Sequence, residues 1–471
     1  MQLRIEQVLQ SIEGELLVAP ASLDAEVLML TWDSRVVKEQ ALYVALVGER
    51  VDGHAFVGGA IASGAACVVV SHALDEETYE AARAAGCAII QVASGEDAIR
   101  ALAGTWRSLL NATVIGITGS VGKTTTRSLT EHVLRQRYKT CATKGNFNNE
   151  LGAPYTLLSA DADCEMLVME MGMSSLGEIA DICSYAHPHM GLITNIGTSH
   201  MEYLKTRENV ARAKGELLAA LPENEGQAFL PVKEEFYDFL CEETHVVERG
   251  INVTPYGGDK APGVFATDVR VDEDGHPVFT LHIGEETAEC ALNLRGLHNV
   301  DNACGAAAIG KACGLTMDEI IAGLHETMPE SGRQEFKKAA CGATVIDDTY
   351  NASPVSMKAA LSMMASRQHE GRNIAILGDM GELGSETDHG HAEVGTFAAE
   401  KGIDLLVCVG PVSAVMAKAA REAGMNEAAV VHVDSVDNVL AVLPELYEGD
   451  TVLCKASHYM GLNAIVEGLI D

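Results

Sequence analysis

At 471 residues the chain has room for about three domains, and 47% hydrophobic against 21% charged residues describes a globular protein with an ample core. Its formal charge of −34 argues against nucleic acid or an anionic membrane as the partner. The twelve cysteines are scattered, with no Cys-x-x-Cys and with Cys304 and Cys313 as the nearest pair, so they read as buried thiols of a reducing compartment rather than a metal cluster or disulfide framework.

The opening string Met1-Gln-Leu-Arg-Ile-Glu-Gln-Val-Leu-Gln10 has no apolar signal core, and no stretch reaches membrane-spanning length, so a cytoplasmic protein is expected. Residues 1–110 read as a small α/β unit, with buried strands Ala41-Leu-Tyr-Val-Ala-Leu-Val47 and Ala66-Cys-Val-Val-Val70 and an Ala- and Gly-rich helix over 55–64 between them. Residues 111–328 form a central unit. The apolar runs Ala112-Thr-Val-Ile-Gly-Ile117, Met166-Leu-Val-Met-Glu170, Met190-Gly-Leu-Ile-Thr194 and Ala228-Phe-Leu230 alternate there with helices, which predicts a mainly parallel sheet covered on both faces. Between 245 and 295 short strands such as Val278-Phe-Thr-Leu-His-Ile283, with the turn signals Gly257-Gly258 and Asp274-Gly275, predict an antiparallel flap, and a helical stretch over 299–324 closes the unit. Past the break at Met328-Pro-Glu-Ser-Gly-Arg333, residues 329–471 alternate strands and helices as a doubly wound α/β domain.

The string Gly116-Ile-Thr-Gly-Ser-Val-Gly-Lys-Thr-Thr-Thr126 lies between an expected strand and an expected helix, which is the context of a phosphate-binding loop. Gly119 and Gly122 let the backbone turn its N–H groups inward around Ser120, Val121, Thr124 and Thr125, and the following helix adds the positive end of its dipole. Lys123 is placed for the outer phosphates of ATP, and the Thr124 hydroxyl for Mg²⁺. Ile117 stands where the common Gly-x4-Gly-Lys form has its first glycine, so the loop is a shorter Gly-x2-Gly-Lys-Thr. On so acidic a chain, the phosphate site has to be a local positive pocket assisted by Mg²⁺.

Other polar residues sit at expected strand ends. Glu170 suits either a Mg²⁺ ligand or a solvated loop acid, and His200, closing Thr194-Asn-Ile-Gly-Thr-Ser-His200, suits a second divalent ion or a helix cap. By spacing alone Lys214 is a surface lysine. Asn299 and Asn302 open a helix, where an amide can cap it or meet an adenine edge, and Arg333 suits a γ-phosphate or the surface. Ile346-Asp-Asp-Thr-Tyr-Asn-Ala-Ser-Pro354, Leu377-Gly-Asp-Met-Gly-Glu-Leu-Gly384 and Lys455-Ala-Ser457 are three polar strand ends in one domain, which points to a ligand cleft facing the phosphate loop. His389 and His391 read as surface histidines.

Taken in order, these strings resemble the Mur ligase family over all three segments. The resemblance implies an α/β, three-domain Mur ligase architecture with a central phosphate-loop ATPase domain on a parallel sheet and a Rossmann-like C-terminal domain. Thr31-Trp-Asp-Ser-Arg35 and Gly48-Glu-Arg-Val-Asp-Gly-His54 are similar to the family's UDP-sugar-binding N-terminal domain, which implies substrate contacts at Ser34 and Arg35. Gly145-Asn-Phe-Asn-Asn149 is similar to a central-domain string and implies the same for Asn146, Asn148 and Asn149. The family's roles imply that Lys123, His200, Lys214 and Arg333 are catalytic, with Thr124, Glu170, His200 and a carbamoylated Lys214 holding Mg²⁺. They also imply nucleotide contacts from Asn299, Asn302, Arg333, Asp348 and Tyr350, and substrate contacts from Asn351 and Lys455.

The strings of the third segment are similar to the branch that adds D-alanyl-D-alanine to UDP-N-acetylmuramoyl-tripeptide. The Asp-Asn-Pro-Arg string usual in the sister ligase that adds the third residue does not occur. One departure is His458, where relatives often carry Arg. The resemblance thus implies an ATP- and Mg²⁺-dependent ligase of small molecules, acting as a monomer through an acyl phosphate. The other readings are a sister Mur or folyl-polyglutamate-type ligase and a non-catalytic ATP-binding regulator.

Overall fold

Strands buried on both faces pair in parallel when helices return the chain each time, and this chain builds three such sheets. The computed structural model describes residues 1–48, 50–260, 262–367 and 371–470, so Glu49 of the string over 48–54 lies outside the described residues. The nine-stranded central sheet runs Glu286–Ala291, Pro277–Ile283, Val264–Val271, Asn252–Tyr256, Gln227–Pro231, Met190–Ile193, Thr113–Thr118, Met166–Glu170 and Thr140–Ala142. Its middle is parallel, with Ile117 level with Glu170 and Thr118 level with Ile193. That register sets the loops after the three strands side by side at one edge, which is where open α/β sheets bind ligands. Helix Lys123–Arg135 packs with His298–Ala312 and Met317–Glu326.

The six-stranded third sheet runs Glu335–Lys338, Thr344–Asp348, Thr451–Lys455, Asn373–Gly378, Leu405–Val409 and Val430–Val433, parallel except for its first strand. Asp348 is level with Lys455, and Leu377 with Lys455 on the other side, so the three polar strand ends lie together. A five-stranded sheet fills the first segment in the order Gly14–Val18, Ala88–Val92, Cys67–Val70, Ala41–Val44, Met29–Thr31.

Two expectations need adjusting. The antiparallel meander over 264–291 is bonded, through parallel Asn252–Tyr256, onto the edge of the central sheet and extends it. The helical stretch over 299–324 is two helices, His298–Ala312 and Met317–Glu326. Gly314 turns left-handed at φ 82, and Thr316 and Glu319 exchange hydrogen bonds as a capping box that starts the second helix afresh. All twelve cysteines are free and most are buried. Among the described residues no helix is long and apolar enough to cross a membrane.

At the N-terminal end of the third sheet's strands, opposite the polar strand ends, Asp450 is 3% exposed and binds the Arg372 guanidinium, the Arg372 N–H at 2.9 Å and the Tyr447 N–H at 3.0 Å. The side-chain bond to Arg372 chiefly holds its carboxyl down at about 2, against an ordinary 3.8. A carboxyl lowered on folding stabilises above its unfolded value and loses that contribution as pH falls through its folded one. Asp450→Asn should therefore lower stability at pH 7 by about 1–3 kcal/mol. In denaturant titrations the deficit should shrink between pH 3.8 and about 2; a deficit independent of pH would contradict the clamp.

Candidate active site

The loop after strand Thr113–Thr118 depends on missing side chains. Gly119 takes φ 152, and a Cβ there would lie 1.8 Å from Thr194 Oγ1; Gly122 takes φ 86, and its Cβ would lie 2.8 Å from Asn302 Oδ1. The neighbouring strand end then holds the loop. Asn195 accepts from the Val121 N–H at 3.0 Å through Oδ1 and donates to the Val121 carbonyl at 2.9 Å through Nδ2. Thr194 Oγ1 donates to the same carbonyl at 2.5 Å, and the Gly197 N–H donates to Ser120 Oγ at 2.8 Å. With Ser120 and Val121 tied sideways, the first N–H groups of helix Lys123–Arg135, which have no intrahelical acceptor, face the cleft as an anion site.

Lys123 lies back across the loop, its Nζ donating to the Gly119 carbonyl at 2.8 Å. Burial holds its ammonium below the ordinary lysine value; Glu170 opposes this and Arg333 adds to it. Lys214, on helix Arg207–Ala219, is no surface lysine: it is 2% exposed, and burial, with Lys123 adding, holds it well below its ordinary value. Burial thus works against the charged ammonium at Lys214.

Glu170 is 1% exposed at the end of its strand. Its Oε1 accepts from Asn148 Nδ2 at 2.7 Å, while Oε2 is buried with no hydrogen-bond partner among the described residues. An orphaned carboxylate oxygen is costly unless a cation completes it. The hydroxyl of buried Thr124 supplies a second hard oxygen at the loop helix, so the donor set fits Mg²⁺.

A cavity of about 590 Å³ joins the loop to the third sheet's strand ends. Arg333 reaches it with its guanidinium 3.9 Å from the centre of the Tyr350 ring. Lys455 is 3% exposed, binds Asp348 at 2.7 Å and donates to the Asn351 carbonyl at 2.9 Å. Burial pushes the Asp348 carboxyl up despite that lysine. His298 also lines the cavity.

Asn299 and Asn302 are linked in series: Asn299 donates to the Arg295 carbonyl at 2.7 Å, Asn302 donates to Asn299 Oδ1 at 3.0 Å, and Thr126 Oγ1 donates to Asn302 Oδ1 at 3.2 Å. One donor hydrogen and one lone pair of Asn299 remain for a ligand. His200 also lines the cavity; its Nδ1 is 2.5 Å from Glu382 Oε2, off the line of a hydrogen bond.

Asn148, Asn149 and Asn351 line the cavity, whereas Ser34, Arg35 and Asn146 do not. Arg35 is exposed and pairs with Asp33 at 2.7 Å. His391 is a correction: it is fully buried, donating from Nδ1 to the Thr387 carbonyl at 2.7 Å and accepting the Met380 N–H on Nε2 at 3.0 Å, so it pins the glycine-rich strand end rather than facing solvent. The braces Asn195 and Asp379 were also missed; Asp379 accepts from the Ser413 N–H and Oγ at 2.7 and 2.6 Å.

Away from the cavity, Asp52, His54 and His72 form a cluster of possible metal ligands. His54 Nε2 accepts the Ser71 N–H at 2.8 Å, so its Nδ1 carries the hydrogen given to Asp52 at 2.6 Å, and those groups are already satisfied by one another.

Residues 117–310 match the family described as Mur ligase middle domain, 332–458 the Mur ligase, glutamate ligase domain, and 26–106 the Mur ligase family, catalytic domain. A Mycobacterium leprae protein named UDP-N-acetylmuramoyl-tripeptide--D-alanyl-D-alanine ligase is 34% identical over 93% of this chain and 92% of its own length. An Acinetobacter baumannii MurF crystal structure superposes with a TM-score of 0.85 at 28% identity, covering 100% of this chain and 99% of that one. A Thermotoga maritima MurF ligase structure in complex with ADP gives 0.77 at 25% identity, covering 94% and 96%.

Asn195→Ala should loosen the loop without touching a phosphate. Calorimetric titration with ADP should show affinity lower by about tenfold or more, and thermal melting a loss of about 1–3 kcal/mol. Unchanged ADP affinity would show that the loop holds its shape without the brace.

Proposed function

The chain belongs to the Mur ligase family, and from that membership we propose that it joins D-alanyl-D-alanine to UDP-N-acetylmuramoyl-tripeptide, converting ATP to ADP and phosphate and supplying a pentapeptide precursor of peptidoglycan. It is an ATP-dependent peptide ligase. The observation that carries this reading is a single cleft with a phosphate loop on one wall and the third sheet's polar strand ends on the other, since a regulator that only binds ATP needs no second wall. The names of its relatives favour the dipeptide ligase over sister ligases.

A carboxylate is a poor electrophile, so one of its oxygens first attacks the γ-phosphorus of ATP, breaking the bond to ADP and forming an acyl phosphate. The dipeptide amine then attacks the carbonyl carbon; it loses a proton, and phosphate leaves with the former carboxylate oxygen. Lys123 and Arg333 bind the charge on the transferring phosphoryl group, and the loop N–H groups hold the phosphates in line. Thr124 and Glu170 would hold Mg²⁺, with His200 and a carbamoylated Lys214 at a second ion; the metal supplies neutralisation of developing phosphate charge. The neutral amine, toward which burial pushes Lys214, is the form that adds CO₂, releasing a proton and leaving a carboxylate-like ligand. Asn299 and Asn302 contact the nucleotide, with Asp348 and Tyr350 shaping its pocket, and Asn351 and Lys455 face the dipeptide. Ser34, Arg35, Asn146, Asn148 and Asn149 meet the UDP-peptide.

The work divides among segments 1–110, 111–328 and 329–471 as sugar-binding, ATP-binding and dipeptide-side domains. All these residues lie in one chain, which fits a monomer, and nucleotide-linked substrates and free thiols fit the cytoplasm.

Purified protein given Mg-ATP and the UDP-tripeptide should release phosphate only when D-alanyl-D-alanine is added, with the matching mass gain on the UDP product. Release with a single amino acid would reassign it to a sister ligase, and no release with any acceptor would favour a regulator. Lys123→Ala should cut turnover by about a thousandfold or more with an unchanged melt; a near-normal rate would contradict the assigned site.

A further inference from the structure

Two turns meet where the third sheet closes on the central one, and both bear unusual backbones. His200 takes φ 60 ahead of helix Met201–Leu204, and Glu382 takes φ 61 in the turn after Asn373–Gly378. Left-handed backbone in residues with bulky side chains persists only where the surroundings impose it, and it collects at functional contacts. Here the surroundings are each other. The Glu202 N–H donates to the Glu382 carbonyl at 3.3 Å, and Gly384 is so close that a Cβ would lie 2.8 Å from Glu202 Cα. The side chains meet as well, with His200 Nδ1 2.5 Å from Glu382 Oε2, close but not in line.

From this contact, and resting on the assignment of His200 as a metal ligand, we infer that Glu382 is the positioning residue for His200, so that the third domain completes the second metal site only when it closes. Turned so that its Nδ1 hydrogen points at that carboxylate, the imidazole is fixed in one tautomer, with Nε2 left to bind a metal. Glu382 follows strand Asn373–Gly378 of the third sheet and His200 follows strand Met190–Ile193 of the central one, so any opening of the cleft would part them. Domain closure and ion binding then favour one another, and the ion that neutralises phosphate charge is held firmly only when the cleft excludes water. A contact serving only to hold the domains together would leave ion affinity untouched.

The test is Mn²⁺ binding read by electron paramagnetic resonance, with each protein saturated by a non-hydrolysable ATP analogue. Wild type should bind two ions, and His200→Ala should lose one. Glu382→Ala should weaken that same ion by about 10–100-fold and leave the other unchanged. Glu382→Gln, whose amide oxygen still accepts from Nδ1, should recover most of the affinity. Glu382 is half exposed, and a thermal melt of each variant confirms that it is folded. Both ions bound within about twofold of wild type in Glu382→Ala would overturn the inference while leaving the metal role of His200 standing. A single ion in wild type, or two in His200→Ala, would overturn that role and the inference with it.

Discussion

A polyphosphate must be bound by a chain whose formal charge is −34, and most other features of the cleft follow from how the cations are gathered to do it. Lys123, Arg333 and Lys455 line one cavity, and buried Lys214 stands behind Lys123. Like charges this close cannot all be kept charged and dry. The chain resolves the conflict differently at each one. Lys455 is matched with buried Asp348, Arg333 lies over the Tyr350 ring, Lys123 rests on a carbonyl with Glu170 opposing its loss of charge, and Lys214 is pushed toward the neutral amine. The positive field is thereby local, and the arriving phosphates meet it only inside the cleft.

Keeping that field in place is the task of groups that touch no ligand. The phosphate loop is tied to the neighbouring strand end through Asn195 and Thr194, and the third sheet's glycine-rich end is tied down by His391 and by Asp379. Parallel register does the coarse work, placing Thr118, Glu170 and Ile193 level on one sheet and Asp348 and Lys455 level on the other. Side-chain braces then set the loops. An acyl phosphate would hydrolyse in water, so a cleft whose two walls come from different sheets has a direct chemical use: it can admit substrates while open and shelter the intermediate when closed.

The phosphate loop, its strand and its helix were legible because all their determinants lie within about two dozen consecutive residues. The parallel core and the third sheet's cluster of polar strand ends were legible for the same local reason. What escaped was set by tertiary partners. Lys214 looked like a surface lysine because nothing in Ala211-Arg-Ala-Lys-Gly-Glu216 reveals that this face of the helix is buried, and His391 was misread for the same reason. The break at Gly314 was within reach, since Thr316 and Glu319 form a capping box that could have been read from spacing. Asn195 lies inside Thr194-Asn-Ile-Gly-Thr-Ser-His200, but its partner Val121 is 74 residues away, and no local pattern joins them. Ser34, Arg35 and Asn146 came from the resemblance alone, and they lie outside the cavity.

The central claim is that this cleft transfers a phosphoryl group to a carboxylate before the amine arrives. It is tested most directly by supplying UDP-N-acetylmuramoyl-tripeptide labelled with ¹⁸O in its terminal carboxylate, together with ATP and D-alanyl-D-alanine, and weighing the phosphate released. Passage through an acyl phosphate predicts one oxygen from the carboxylate in each phosphate formed alongside the peptide bond. Phosphate carrying no label, with its new oxygen drawn from water, would mean that ATP is hydrolysed without activating the peptide, and would contradict the account.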